Sequence, residues 1–222
     1  MHKLIIDLEM NNSVLVEYKK NRSGKKGIRE IIEIGAVLLD DDNEILGEFK
    51  KYVKPRYSGI SGFIQELTGV TQQHVDDADD IVKSLESLED FIVDKDNTVL
   101  YCWSDSDTRA LRAELEIKGI KNEYIEHLVN NYVDFQKYFD DKVGLYKQFS
   151  LEKAFEILDI TPLDGAHDAL VDARNTAELM IRLEKDENVQ KLVDRYNNLL
   201  HGESITSSIG SMFDFSKFNL KY

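Results

Sequence analysis

The chain has a single cysteine, Cys102, so it cannot form an internal disulfide. One thiol fits a reducing compartment. Long apolar runs are also missing. None approaches the ~20 residues that cross a bilayer, so no membrane partner is expected. The opening "MHKLIIDLEM" is too short and too acidic for a secretory signal, and a cytoplasmic location is expected. Positive charge is scarce. There are 28 basic against 42 acidic residues, a formal net charge of −14. That excludes binding to nucleic acid through overall basicity. A polyanion would have to be held locally or with the help of cations. Internal repeats and low-complexity linkers are absent. What remains is 222 residues with 42% hydrophobic content, enough for one domain with a sizeable core.

Patterning along the chain gives strands first. "KLIIDLEM" reads as a buried strand, "EIIEIGAVLLD" (Glu30–Asp40) as a longer one, and "ILGEFKKYVKP" as a third ending at Pro55. Asp40–Glu44 is the turn between the last two, and the three form an antiparallel meander. Ile81, Val82, Leu85, Leu88, Phe91 and Ile92 fall at helical spacing. "TVLYCW" (Thr98–Trp103) is a buried strand, followed by a helix that stops at Gly119; "NYVDFQKYF" begins as a strand. Ser150 is an N-cap without a full capping box, since the third residue on is Lys153. Helices follow from about Asp168 to Leu183 and from Val189 to Leu200. Strands, then alternating helices and strands, then helices predict an α/β layered domain with a mixed sheet.

Acidic residues gather where such a sheet places ligands, beyond the carboxyl ends of its strands. Asp7 and Glu9 stand two apart at the end of the first strand and so share a face. They are either a strand end entering solvent or a cation site. Asp105 and Asp107 follow "TVLYCW", where either can serve as a helix N-cap or as a third acid. In "GAHDALVDAR" (Gly165–Arg174), His167 precedes Asp172 by five residues, about 140° of helix rotation. Two mid-helix residues at that spacing face apart. The pair can share a cleft if His167 lies before the helix and Asp172 within it. Asp7, Glu9, Asp107 and Asp172 then converge. Hard oxygen donors with one histidine favour Mg²⁺ or Mn²⁺ over zinc. Two such cations suit in-line attack on a phosphodiester, with His167 as general base.

The ordered set "IIDLEM", "EIIEIGAVLLD", "ISGFIQELTGVTQQHV" (Ile60–Val75), "YCWSDSDTRAL" and "GAHDALVDARNTAELM" resembles the DEDDh 3′→5′ exonuclease superfamily, the proofreading type with a ribonuclease H-like fold. The motifs span residues 4 to about 180. The resemblance implies a five-stranded mixed sheet flanked by helices, an exonuclease domain over 1–200, and a tail over 201–222. It implies two divalent cations. Asp7 would touch both, Glu9 and Asp172 the first, and Asp107 the second, with His167 as the base. Met10, Leu67, Thr68 and Gly69 would contact the terminal nucleotide. The implied partner is single-stranded nucleic acid with a free 3′-hydroxyl, and the products are nucleoside monophosphates.

Three departures bear on substrate. The stretch Trp103–Asp107, Trp-Ser-Asp-Ser-Asp, resembles the Trp-Gly-x-x-Asp form of the RNA-trimming branch, which favours RNA or short oligonucleotides. "EMNNSV" replaces the usual Phe-Glu-Thr-Thr-Gly segment, and a basic insertion, Tyr18–Arg29, either guides the substrate or is a solvated loop. The alternatives are a DNA proofreading or repair exonuclease and a non-catalytic binding module. Five catalytic positions filled with the required residue types argue against the module. The tail carries Met212, Phe213, Phe215 and Phe218. It either packs back on the domain, the preferred reading, or meets a second subunit or a protein partner.

Overall fold

A computed structural model of the chain describes residues 1–14, 27–144, 148–165, 167–185 and 187–201. β1 (His2–Val14) lies at the centre of a five-stranded sheet. β2 (Gly27–Leu39) pairs antiparallel with it, and β3 (Ile45–Tyr52) antiparallel with β2. β4 (Thr98–Cys102) runs parallel to β1 on its other side, and the two-residue β5 (Val133–Asp134) parallel to β4. The order β3-β2-β1-β4-β5 makes the sheet mixed, with the expected meander on one half.

Strand periodicity divides β1 between two cores. Leu4, Ile6 and Leu8 face one side. There they pack with α3 (Ile81–Phe91), α4 (Ser106–Lys118) and α5 (Glu123–Asn130) through Leu85, Leu111 and Ile125. Ile5 faces the other side. It packs with α6 (Phe135–Val143), α7 (Leu151–Leu158), α8 (Ala169–Lys185) and α9 (Val189–His201) through Phe139, Phe155, Ala173 and Val193. Asp7 and Glu9 continue the Ile5 series and so point toward the α8 side.

Several elements differ from expectation. β1 and β2 run on past Glu9 as a paired arm, Met10–Val14 against Gly27–Ile31. A bulge at Glu9/Met10 lets both strands continue beyond the acidic pair. "NYVDFQKYF" supplies only β5; Asp134 then accepts the Lys137 N–H at 3.1 Å and starts α6. The segment from Ile60 to Val75 forms two short helices, α1 (Gly62–Thr68) and α2 (Gln72–Asp76). Ser150 caps α7, accepting the Lys153 N–H at 3.2 Å. Residues 18–26 of the basic insertion, and the tail from 202, lie outside the described residues. Among the described residues no helix is long and apolar enough to cross a membrane.

A buried charge cluster ties the arm to its neighbours. Lys118 Nζ lies 2.9 Å from Glu30 and 2.6 Å from Glu114, all three nearly inaccessible. Glu30 also accepts the backbone N–H groups of Arg56 at 2.7 Å and Tyr57 at 3.0 Å. Glu114 accepts that of Ile31 at 2.7 Å. One lysine thereby joins β2, α4 and the chain leading from β3 into α1.

Candidate active site

The acidic cluster sits midway along β1, just past the end of β4 and where α8 begins. Ligand atoms of Glu9, His167 and Asp172 all lie within 4.8 Å of one another. Asp7, two residues before Glu9 on the same face, feels the charges of Asp107, Asp172, Glu9 and Glu33. The structure thus gathers all five sequence-identified polar groups, with Glu9, His167 and Asp172 closest together.

Local geometry explains how a pair five residues apart comes to share this cleft. Gly165 (φ 108°) and His167 (φ 67°) are both left-handed, turning the chain just before α8. Asp168 accepts the N–H groups of Leu170 at 3.1 Å and Val171 at 3.2 Å, which caps the helix. Asp172 lies in the first turn and accepts the His167 N–H at 3.0 Å. His167 is therefore outside the helix, exposed, and held over the residue that shares its site.

Two features that sequence reasoning missed bring α8 this close. Gly35 stands opposite Asp7 in the β1–β2 pairing. A Cβ at Gly35 would lie 2.1 Å from the carbonyl carbon of Ala169 and 2.2 Å from the Leu170 nitrogen. Only a bare backbone admits the helix here. The second feature is an ion cluster. Lys50 Nζ lies 2.8 Å from the buried Glu33 carboxylate and also pairs with Asp168. It thereby bridges β2, β3 and the start of α8. A glutamate inside the apolar run "EIIEIGAVLL" was a legible signal for Glu33, and a glycine in that run for Gly35. Nothing in "EFKKY" distinguished Lys50 from a solvated strand lysine.

The carboxylates raise one another's proton affinity. Burial, followed by the charges of Asp107, Asp172, Glu9 and Glu33, pushes Asp7 well up. Burial, with Asp172 and Glu33 adding, moves Glu9 to about 8. Asp107, buried, rises to about 6 even though the Leu8 N–H stabilises its ionised form. Asp172 is raised by burial, against the opposing His167 N–H and Asn175 side chain. Four crowded, desolvated carboxylates repel one another, and the charges of Arg29 on Asp107 and His167 on Asp172 offset this only in part. A divalent cation would offset the remaining repulsion, and an oxygen-rich donor set with one imidazole suits Mg²⁺ or Mn²⁺. Asp105, by contrast, is 49% exposed and pairs with Arg109 at 3.5 Å.

The residues expected at the terminal nucleotide occupy different positions. Leu67 is 41% exposed on α1, and Phe63, one turn earlier on the same helix, is 67% exposed. Phe63 went unnoticed in the sequence; an aromatic four residues before Leu67 was the available signal. Thr68 is buried; its hydroxyl donates to the Ile64 carbonyl at 2.9 Å and accepts the Val70 N–H at 3.1 Å. Gly69 (φ 71°) ends α1 in the left-handed region. Met10 is partly buried at the bulge. Trp103 turns into the core, edge-on to Phe135 with ring centroids 5.9 Å apart.

Comparison with known proteins agrees with this geometry. The RNase_T family model, described as an exonuclease, matches residues 4–180. ERI1 exoribonuclease 2 of Xenopus laevis is 30% identical over 87% of this chain and 31% of its own length. The DNA polymerase III PolC-type of Caldanaerobacter subterraneus is 30% identical over 77% of this chain and 12% of its own length. The chain therefore spans about a third or less of these curated relatives. Among solved structures, the nuclease domain of 3′hExo, a DEDDh family member bound to rAMP, superposes with a TM-score of 0.70. It is 25% identical, covering 84% of this chain and 92% of that one.

Proposed function

Because the chain belongs to the RNase_T exonuclease family, we propose that it removes nucleoside 5′-monophosphates one at a time from the 3′ end of single-stranded nucleic acid, with RNA or short oligonucleotides preferred. The observation that carries this reading is the gathering of Asp7, Glu9, Asp107 and Asp172 with His167 between β1 and the start of α8. The RNA preference is supported by the relative named as an exoribonuclease and by the rAMP-bound neighbour.

In this reading the four carboxylates hold two divalent cations. When bound, these neutralise the scissile phosphate and stabilise the leaving oxygen. The chain's own groups do the rest. The exposed imidazole of His167 takes the proton of the attacking water. As the water oxygen bonds to phosphorus, the bond from phosphorus to the upstream O3′ breaks, leaving a new 3′-hydroxyl. The His167 proton then passes to that oxygen or to solvent. Asp172, accepting the backbone N–H of His167, fixes the turn from which the imidazole extends. Leu67 and Phe63 offer an apolar face to the last base, while Thr68 and Gly69 shape the turn behind them.

A second reading, DNA proofreading or repair, is favoured by the match to the polymerase relative. Competition between RNA and DNA strands of matched sequence, each ending in a 3′-hydroxyl or a 3′-phosphate, separates the two. The proposal expects RNA with a 3′-hydroxyl to be consumed fastest. Faster loss of DNA would favour the second reading, and equal loss of 3′-phosphate ends would remove the 3′-terminal recognition.

A further inference from the structure

A groove beside the acidic cluster has the opposite electrostatic character. The first residues of β2, Gly27–Arg29, and one flank of α4 enclose a volume of about 490 Å³. Arg29 and Arg109 both line it, and Glu116 is its one acidic lining residue among those described. Register places the groove relative to the chemistry. Arg29 stands opposite Asn12, three residues beyond Glu9 along the arm. At ~3.3 Å per residue this is about 10 Å past the acidic pair. Arg109 lies two residues after Asp107 on α4. Ser106, which also lines the groove, donates from its Oγ to Asp107 at 3.4 Å. The groove therefore starts at the cluster's edge.

Both arginines are available to an anion. Arg29 is exposed, and its charge reaches Asp107 at the cluster's edge, where it favours the ionised carboxylate. Arg109 is 71% exposed, with one long pair to Asp105 at 3.5 Å. In a chain of net charge −14, two such guanidiniums on one groove form a local attractive site for a polyanion. Ala113 and Ile117 add an apolar wall suited to sugar edges, and no aromatic side chain lines it among the described residues. Such a lining contacts the backbone and does not stack on bases.

Resting on the exonuclease reading, we propose that this groove takes the sugar–phosphate backbone of the substrate strand upstream of the scissile bond, Arg29 and Arg109 each pairing with a phosphate. It would give a long strand an advantage that a dinucleotide lacks.

The test compares the full chain with R29S, R109S and the double variant. A fluorescent 12-nucleotide strand carrying phosphorothioate linkages is titrated by anisotropy with Ca²⁺ present, from 50 to 300 mM KCl. Each lost phosphate contact lowers the slope of log affinity against log salt by about 0.7, so the double variant is expected to lose about 1.4. The charge-preserving R29K/R109K pair is expected to retain the parent slope. Hydrolysis is read beside binding, as kcat/KM for the 12-mer divided by that for a dinucleotide. This ratio is expected to fall roughly tenfold in the double serine variant. An unchanged slope and ratio would overturn the groove, as would a parent showing no preference for the 12-mer. If slope falls as expected but the parent hydrolyses neither substrate, the groove stands and the exonuclease reading fails.

Discussion

His167 and Glu9 stand in opposite surroundings, one exposed and one buried. His167 is exposed and held outside α8 by its own left-handed backbone, where an imidazole can exchange protons with water. Its replacement by alanine is expected to slow hydrolysis by about 10²–10⁴-fold while leaving cation binding intact. Calorimetric Mn²⁺ titration beside a rate measurement checks both halves; an unchanged rate would remove its role as base. Glu9 and its neighbours are instead held above their ordinary range by burial and mutual repulsion. For a carboxylate with a raised folded-state value, the unfolded chain ionises first. The cation-free protein therefore pays no penalty below the unfolded value and the full penalty above the folded one. Its stability is expected to fall as pH rises from about 4.5 toward 8 for Glu9, and from about 4 toward 6 for Asp107. Mn²⁺ is expected to reverse that trend. Thermal melts in EDTA and in Mn²⁺ across pH 5–9 read it directly. D7N is expected to abolish hydrolysis yet raise the EDTA midpoint at pH 8 by several degrees. A cation-free midpoint that climbs with pH would contradict the repulsion.

At the scale of elements, catalytic geometry depends on how closely α8 approaches the sheet. Gly35 sets that approach, since a methyl group there would meet the Ala169 and Leu170 backbone. G35A is expected to cost about 1–3 kcal/mol or more by overpacking. It is also expected to lower kcat by displacing Asp172 and His167 together. Denaturant unfolding and kinetics on one preparation check the pair of effects. Much of this layer was legible. Alternation in "KLIIDLEM" put Asp7 and Glu9 on one face, and Gly165 before His167 marked the turn that lets His167 and Asp172 meet. The long arm beyond Glu9 was not legible, because polar "NNSV" lacks the apolar pattern of a buried strand and pairs through its backbone. Nor were α1 and α2, too short for periodicity to show. The Glu33–Lys50–Asp168 cluster joins residues more than 100 positions apart, beyond any local pattern.

Across the whole molecule, one buried cation adds an ionic tie between elements that also share the apolar core, Ile31 and Ile34 of β2 packing with Leu111 and Leu115 of α4. Lys118 bonds Glu30 on β2 and Glu114 on α4, and Glu30 in turn fixes the chain entering α1. K118M removes the ammonium that neutralises two desolvated carboxylates, with an expected loss of about 3–5 kcal/mol. Chemical unfolding of K118M measures it, and a loss under 1 kcal/mol would show the cluster to be replaceable by apolar packing. The overall acidity of the chain also acts at this scale. A molecule with net charge −14 approaches a polyanion only where cations or local arginines reverse its field. We propose that the acidic cluster is a cation-dependent 3′-end exonuclease centre. The measurement that tests it most directly is a sequencing gel of 5′-labelled single-stranded RNA with Mn²⁺, with EDTA, and with the D172N variant in Mn²⁺. The expected result is a ladder shortening one nucleotide at a time from the 3′ end, abolished by EDTA and by D172N. Shortening that survives chelation or the loss of Asp172, or internal cuts without a ladder, would contradict it.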